Sequence, residues 1–380
     1  MIQDLTPHAT MGASGRGGVS DAGLLLVNLG TPASPRPADV RRYLREFLMD
    51  PRVFDLPTWR RWLLVHLLIL PFRPRASGHA YAQIWTSEGS PLLTHTRALA
   101  AKVAARLGPD LHVEVAMRYG QPSIASALDR LRKRGVDRVV VFSLYPQYSS
   151  AATGSVIEKV ALEAGRCWNT PYLHVIPPFY DHPGFIHACA EAARPVLEES
   201  APDKVFLSFH GLPERHVTRS DATGAHCLRR DDCCARIVEA NRHCYRAQCF
   251  ATARLLGDAL GVPESRRIVC FQSRLGRTPW IRPHTDELLV AEARAGARSA
   301  VVLCPAFVAD CLETLEEIGI RGRRAWIESG GERLALAPAV NASDAWADAI
   351  VTIARENTRW LDVPTPALTR EIASTVQAHA

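Results

Sequence analysis

No stretch of the 380-residue chain carries the roughly 20 consecutive apolar residues that a membrane-spanning helix requires. The most apolar segment, Trp59 to Phe72, has an apolar run of about half that length and cannot cross a bilayer. The start of the chain lacks the charged-then-apolar layout of a secretory leader. Ten cysteines without such a leader point to a reducing compartment, so a cytoplasmic location is expected. A formal charge of only +6, with no dense basic stripe, argues against nucleic acid as a partner and favours an anionic ligand or membrane surface only weakly. There is neither a P-loop nor a dinucleotide fingerprint: the turn Asn28-Leu29-Gly30-Thr31-Pro32 has the spacing of neither and reads as turn chemistry or a small anion cradle. No heptad or interface stripe specifies an oligomeric state.

What is present is a globular composition, 47% hydrophobic and 22% charged, in a chain long enough for two domains. Apolar, largely β-branched runs recur at 23–29, 112–118, 138–145, 172–176, 204–209, 267–272, 299–304 and 333–337, separated by amphipathic stretches such as 124–134 and 285–297. That alternation predicts an α/β fold with parallel sheets built from right-handed βαβ units. The halves echo each other: one strand ends at Tyr145-Pro146-Gln147-Tyr148-Ser149, another at Cys304-Pro305-Ala306-Phe307, which favours two similar domains.

Ser208-Phe209-His210-Gly211-Leu212-Pro213 places a histidine where an apolar run breaks into a turn. In open α/β sheets ligand crevices form beyond the carboxyl ends of strands, so this imidazole is expected to face a cleft. About a hundred residues later comes Asp310-Cys311-Leu312-Glu313-Thr314-Leu315-Glu316-Glu317. If helical, it sets Asp310, Glu313 and Glu317 on one face and turns Glu316 elsewhere, giving a metal-handling or proton-abstracting set with His210. Aromatic clusters at Arg118-Tyr119, Tyr145 to Ser149 and Pro279-Trp280 read as core or, on one side of the sheets, as walls for a flat, apolar, carboxylate-bearing ligand.

Cys227, Cys233, Cys234, Cys244 and Cys249 crowd into 23 residues. Four converging thiolates suit two irons or one zinc, and the compartment disfavours disulfides. Because adjacent Cα atoms lie about 3.8 Å apart and project differently, Cys233 and Cys234 are not both expected to ligate. The preferred set is Cys227, Cys244, Cys249 and one of that pair. Trp59 to Phe72, flanked by Arg60, Arg61, Arg73 and Arg75, reads as a surface dipping into lipid headgroups, a buried helix, or the rim of an apolar pocket.

Taken in order, the Asn28 turn, Gly89-Ser90-Pro91-Leu92, Arg118-Tyr119, Tyr145 to Ser149 with Thr153-Gly154-Ser155, the His210 motif, Gln272-Ser273-Arg274 with Trp280, and Asp310 to Glu317 resemble the ferrochelatases, which insert ferrous iron into a porphyrin. The resemblance runs from about 23 to 361. It implies two Rossmann-like domains with four-stranded parallel sheets and a porphyrin cleft between them. The expected boundaries are a flexible tail 1–20, a first domain 21–170 completed by 340–362, a second domain 171–339 carrying the cysteine segment 227–249, and a tail 363–380. Carried over by position, His210 and Glu313 are the catalytic pair and the ligands of the incoming Fe²⁺. Asp310 and Glu317 form a proton or metal path, and Asn28, Arg118, Tyr119, Tyr145, Trp280 and Phe307 contact porphyrin.

Two departures from the animal members matter. Cys311 stands where they have histidine, and Ser150 where they have a cluster cysteine. The 227–249 segment instead resembles a bacterial subgroup with an internal [2Fe-2S] cluster. Protoporphyrin IX is the expected substrate, because the greasy 59–72 segment resembles a membrane-touching lip and implies a peripheral contact with the cytoplasmic membrane. A chelatase for coproporphyrin III or another tetrapyrrole is the alternative, and a noncatalytic tetrapyrrole-binding Fe-S sensor the remote one.

Overall fold

The computed structural model describes residues 21–276 and 278–362; the expected tails 1–20 and 363–380 lie outside the described residues. Eight strands form two parallel four-stranded sheets: β1 (Asp21–Thr31), β2 (His112–Gly120), β3 (Val136–Ser143) and β4 (Tyr172–Val175) in the order β2-β1-β3-β4, then β5 (Lys204–His210), β6 (Arg267–Gln272), β7 (Ser299–Leu303) and β8 (Arg333–Leu336) in the order β6-β5-β7-β8. The two orders are the same, which is the structural content of the sequence echo.

The continuous apolar run Leu24-Leu25-Leu26-Val27 is what a strand covered by helices on both faces requires. Its period-2 alternation divides it: Leu24 and Leu26 enter the core shared with Leu99, Val103 and Trp346, whereas Leu25 and Val27 pack with Ala127, Leu131 and Val160 on the other face. In the second sheet, Leu207 and Phe209 likewise oppose Phe206. At the end of β1, Gly30 has φ +117°, and a Cβ there would stand 1.8 Å from the Tyr119 carbonyl oxygen. Only glycine lets β1 and β2 close at that point.

One expected boundary is corrected. The strand at 172 does not open the second domain at residue 171; β4 pairs with β3 from Arg138↔Tyr172 to Val141↔Val175. The crossover to the second sheet is the next helix, Pro183–Ser200, whose Phe185 and Ile186 enter one core while Ala190 and Ala193 enter the other. The helix Asp344–Asn357, capped by Ser343 Oγ on the Trp346 N-H, returns to pack on Pro91–Leu107 and Pro183–Ser200.

The segment after Asp50 forms a lip. Thr58–Leu63 is α-helical, continues as a π-helical turn Leu64–Ile69, and is followed by helix Arg73–Ile84. Val65 and Leu70 anchor it against Leu48, while Trp59, Trp62, Leu63, Leu67, Leu68 and Phe72 are exposed. Arg61 does not flank this surface: it is buried and donates to the Phe54 and Leu56 carbonyls. Among the described residues no helix is long and apolar enough to cross a membrane. Asp55 ties the lip to the second half, accepting from Arg215 at 2.6–3.0 Å and Arg219 at 2.5 Å. The Arg215 hydrogen bonds outweigh partial burial and hold its carboxyl down at about 2.

Candidate functional site

His210 ends β5 where the strand order of the second sheet reverses, so topology delivers its side chain to the crevice expected at such a switch point. Its ring centroid lies 6.1 Å from that of Phe307 and 6.5 Å from that of Trp280. Nδ1 is 2.6 Å from the Gly211 carbonyl oxygen. A carbonyl can only accept, so Nδ1 is the donor, and in the neutral ring the lone pair is on Nε2.

Gly211 is required here, because a Cβ would stand 2.8 Å from the Gln272 carbonyl oxygen and 3.2 Å from the Trp280 ring. The loop after β6 then zips onto the strand end: Gly211 N-H donates to Gln272 O at 2.7 Å, Ile281 N-H to Leu212 O at 2.9 Å, and Trp280 Nε1 to Leu275 O at 2.8 Å.

The acidic segment departs from the expected α-helix. Cys311 is extended (φ −149°, ψ −170°), and Leu312–Gly322 is π-helical, a form that recurs at functional sites. Asp310 therefore lies outside the helix and shares no face with Glu313 and Glu317. Its carboxylate is buried and accepts from Asn341 Nδ2 at 2.7 Å and Thr314 Oγ1 at 3.0 Å, which makes it an anchor of the helix start. Glu317 accepts from the Ser273 N-H at 2.8 Å and Ser273 Oγ at 2.5 Å. Glu316 turns away to Arg321 at 2.9 Å, as its spacing suggested.

Glu313 is partly buried, and its backbone oxygen accepts from Gln272 Nε2 at 2.8 Å. Gln272 is the β-ladder partner of His210, so one residue joins the imidazole strand to the carboxylate helix. Tyr43 and Tyr81 are buried beside Glu313. Burial pushes both phenols well up; the Glu313 charge adds to each, after burial for Tyr81 and after burial and Tyr81 for Tyr43. Sequence reasoning missed this pair, whose only signal is two tyrosines on the helices Pro37–Leu48 and Arg73–Ile84 that pack together.

Of the other expected porphyrin contacts, Trp280 and Phe307 flank His210 as described. Tyr145 is partly buried, and its hydroxyl is buried without a partner among the described residues. Asn28 is turned inward: its amide donates to Thr96 Oγ1 at 3.0 Å and its oxygen accepts the Leu29 N-H at 2.8 Å, because the turn must satisfy its own polar groups.

Arg118 and Tyr119 are held by a residue the sequence did not flag. Asp50 accepts from Arg118 Nη2 at 2.5 Å, Tyr119 Oη at 2.8 Å and Ser155 Oγ at 2.6 Å. Burial alone would raise the Asp50 carboxyl, but Ser155, the Arg52 N-H, Tyr119 and Arg118 together lower it. Tyr119 is fully buried and edge-on to Phe47, so it is core, and Arg118 stacks 4.4 Å above its ring. Arg118 also lines a cavity of about 640 Å³ beside the lip, with Arg42, Arg45, Glu46 and His66.

The cysteine segment gathers differently from the preferred set. Cys233 and Cys234 sulfurs lie 3.7 Å apart, and Cys227 and Cys244 are buried in the same core cluster. Leu228, just after Cys227, adopts φ +58°. Arg246 Nη1 stands 3.1 Å from the Cys234 sulfur. Cys249 instead lies in the helix Tyr245–Ala259, fully buried against Tyr245, and burial pushes its thiol well up. The donors are soft and clustered, yet among the described residues no group of three or more His, Cys, Asp or Glu stands in a metal-holding arrangement.

Two like-ordered parallel sheets, with a histidine at the switch point of the second and a carboxylate helix alongside, define a two-domain α/β protein of the chelatase fold. The solved sirohydrochlorin chelatase SirB from Bacillus subtilis subspecies spizizenii, in complex with cobalt, shares that fold at a TM-score of 0.51 and 12% identity, covering 89% of this chain and 95% of that one. The ferrochelatase family model matches residues 21–358. Curated ferrochelatases from Pseudomonas fluorescens strain SBW25 and Coxiella burnetii strain Dugway 5J108-111 are 49% and 45% identical over 342 and 336 residues. Each alignment covers 88% of this chain, and 98% and 93% of the relatives respectively. The chain belongs to the ferrochelatase family.

Proposed function

We infer that the protein inserts Fe²⁺ into protoporphyrin IX, giving protohaem and two protons, the terminal step of haem synthesis. The single observation that carries the chemistry is the His210 imidazole, protonated at Nδ1 by its bond to Gly211 O and walled by Trp280 and Phe307. Metal insertion exchanges two pyrrole N-H protons for one dication, so the site must accept protons beside the macrocycle. Nε2 of His210 takes one, the Glu313 carboxylate stabilises the imidazolium that results, and passing that proton on to the carboxylates frees Nε2 to take the second. Glu317 is the next acceptor outward along the helix. Aromatic walls suit a planar ligand, and buckling the macrocycle to expose its nitrogens draws roughly 1–5 kcal/mol from remote contacts.

The exposed Trp59, Trp62, Leu67, Leu68 and Phe72, beside Arg60 and Arg73, support a lip that seats on anionic lipid and a preference for the greasier porphyrin. Anoxic assays with ferrous iron are expected to give faster insertion into protoporphyrin IX than into coproporphyrin III. The reverse order would move the protein to the coproporphyrin chelatases, and binding of either without insertion would make it a noncatalytic module.

For the cysteines, Cys227, Cys233, Cys234 and Cys244 are the residues that would hold a [2Fe-2S] cluster, a reading supported by their shared burial and the 3.7 Å sulfur pair. Protein purified without oxygen is expected to absorb in the visible through bound iron and sulfide, and to co-sediment with anionic vesicles at low salt. Colourless folded protein with one equivalent of zinc would replace the cluster by a structural zinc, and failure to sediment would remove the membrane contact.

A further inference from the structure

Gln272 is almost wholly buried, yet both ends of its amide reach functional elements. Its oxygen accepts from Ser208 Oγ at 2.7 Å, and Ser208 Oγ also shares a 2.8 Å hydrogen bond with Thr285 Oγ1. Its nitrogen donates to the Glu313 backbone oxygen at 2.8 Å. In the ladder it sits directly against His210, and its own carbonyl accepts the Gly211 N-H at 2.7 Å.

The next residue holds a side-chain carboxylate of the same helix directly. Ser273 has φ +66°, a left-handed conformation that side chains other than glycine and asparagine rarely adopt. That conformation aims the Ser273 N-H and Oγ together at the two oxygens of Glu317, at 2.8 and 2.5 Å. Backbone strain persists only where the surroundings over-determine it, and such sites cluster where function needs a fixed geometry.

We propose that Gln272-Ser273 is a positioning dipeptide that sets the separation between the His210 imidazole and the Glu313–Glu317 carboxylates. Neither residue touches the macrocycle or the metal in this account. Gln272 locks the start of the π-helix to the strand that carries the imidazole, and Ser273 locks the helix one turn later. A π-helix has weaker internal geometry than an α-helix, so its placement depends more on such external ties. The inference rests on the assignment of His210 and Glu313 given above.

The test uses Gln272→Met and Ser273→Gly, with wild type and His210→Ala as references. Gln272→Met keeps the side-chain length and loses the amide's hydrogen bonds with Ser208, Cys304, the Glu313 backbone and Glu317. Ser273→Gly keeps the N-H donor, relieves the left-handed strain and loses only Oγ. Displacement on the ångström scale costs about 100-fold in rate at a site of this kind. Gln272→Met is expected to lower kcat by about 10- to 100-fold with the porphyrin KM unchanged. Ser273→Gly is expected to lower kcat by about tenfold while its melting temperature stays the same or rises, a divergence that a merely structural residue does not produce. Reinstating an amide donor with Ser273→Asn, which tolerates the left-handed region, should recover part of the loss. Unchanged kcat in both variants, or kcat falling only in step with melting temperature, overturns the proposal while wild-type turnover leaves the His210 assignment standing. If wild type itself does not insert metal, the assignment fails rather than the dipeptide.

Discussion

His210→Ala should abolish metal insertion while leaving porphyrin binding intact. Positioned proton transfer contributes about 100- to 10,000-fold to a rate, and the loss is expected in that range. The geometry says why the loss falls on turnover. The imidazole's Nδ1 is committed to Gly211 O, so its one free function is the Nε2 lone pair, and alanine removes that function. Planar contact with the ligand is supplied by Trp280 and Phe307, which pack independently: Trp280 through Leu275 O and Phe307 through the Cys304 carbonyl. Porphyrin affinity, measured by quenching, should therefore change little. Insertion of Fe²⁺ or Zn²⁺, followed by loss of free-base porphyrin fluorescence, should cease. Normal turnover in the variant would remove His210 from the mechanism.

Asp50→Ala should be the most destabilising single change around the lip, by about 3–5 kcal/mol, the cost of stranding one partner of a buried ion pair. The Asp50 side chain is 2% exposed and that of Arg118 14%, so water cannot take over the lost contact. Tyr119 Oη loses its 2.8 Å partner in a fully buried position as well, while Ser155 keeps the Arg118 Nε. The measurement is the urea unfolding midpoint. A shift corresponding to under about 1 kcal/mol would place the pair in the class of exposed salt bridges. The same contact predicts a direction with pH. The Asp50 carboxyl is lowered in the folded protein, so its contribution is complete above the ordinary carboxylate range and is lost as acid titrates it in the folded state.

Much of this was legible in the sequence, for physical reasons that differ from element to element. All eight strands sit within a few residues of their expected positions, because a parallel strand covered on both faces must be a short continuous apolar run, as in Leu24 to Val27. His210 could be expected at the end of a strand because the apolar run Lys204 to Phe209 breaks there, and the structure ends β5 at His210. What was hidden depends on contacts distant in sequence or on local backbone choice. Asp50 gathers Arg118 from 68 residues away, and nothing in Met49-Asp50-Pro51 announces it. Helical spacing put Asp310 with Glu313 and Glu317, but the helix begins after Cys311 and is π-helical, so the α-helical face does not exist. Period and composition cannot separate an α from a π turn. Nor did spacing show that the Cys233 and Cys234 sulfurs lie 3.7 Å apart. Sequence pattern also put the 172 strand in the second domain, whereas it pairs with β3, since a strand run carries no label for its partner.

The central claim is the proposal that the His210 imidazole, its Nδ1 bonded to Gly211 O, accepts one inner proton of a bound porphyrin at Nε2 as iron enters and passes it to the Glu313–Glu317 helix, freeing Nε2 for the second. The most direct measurement is an anoxic single turnover of protein, Fe²⁺ and protoporphyrin IX, followed by absorption and by proton release into a weakly buffered indicator solution. The account predicts protohaem bands replacing free-base bands at a stoichiometry of about two protons per iron, with both signals lost in His210→Ala. Bound free-base porphyrin that persists beside excess Fe²⁺, or protohaem formed at the same rate without His210, would contradict it.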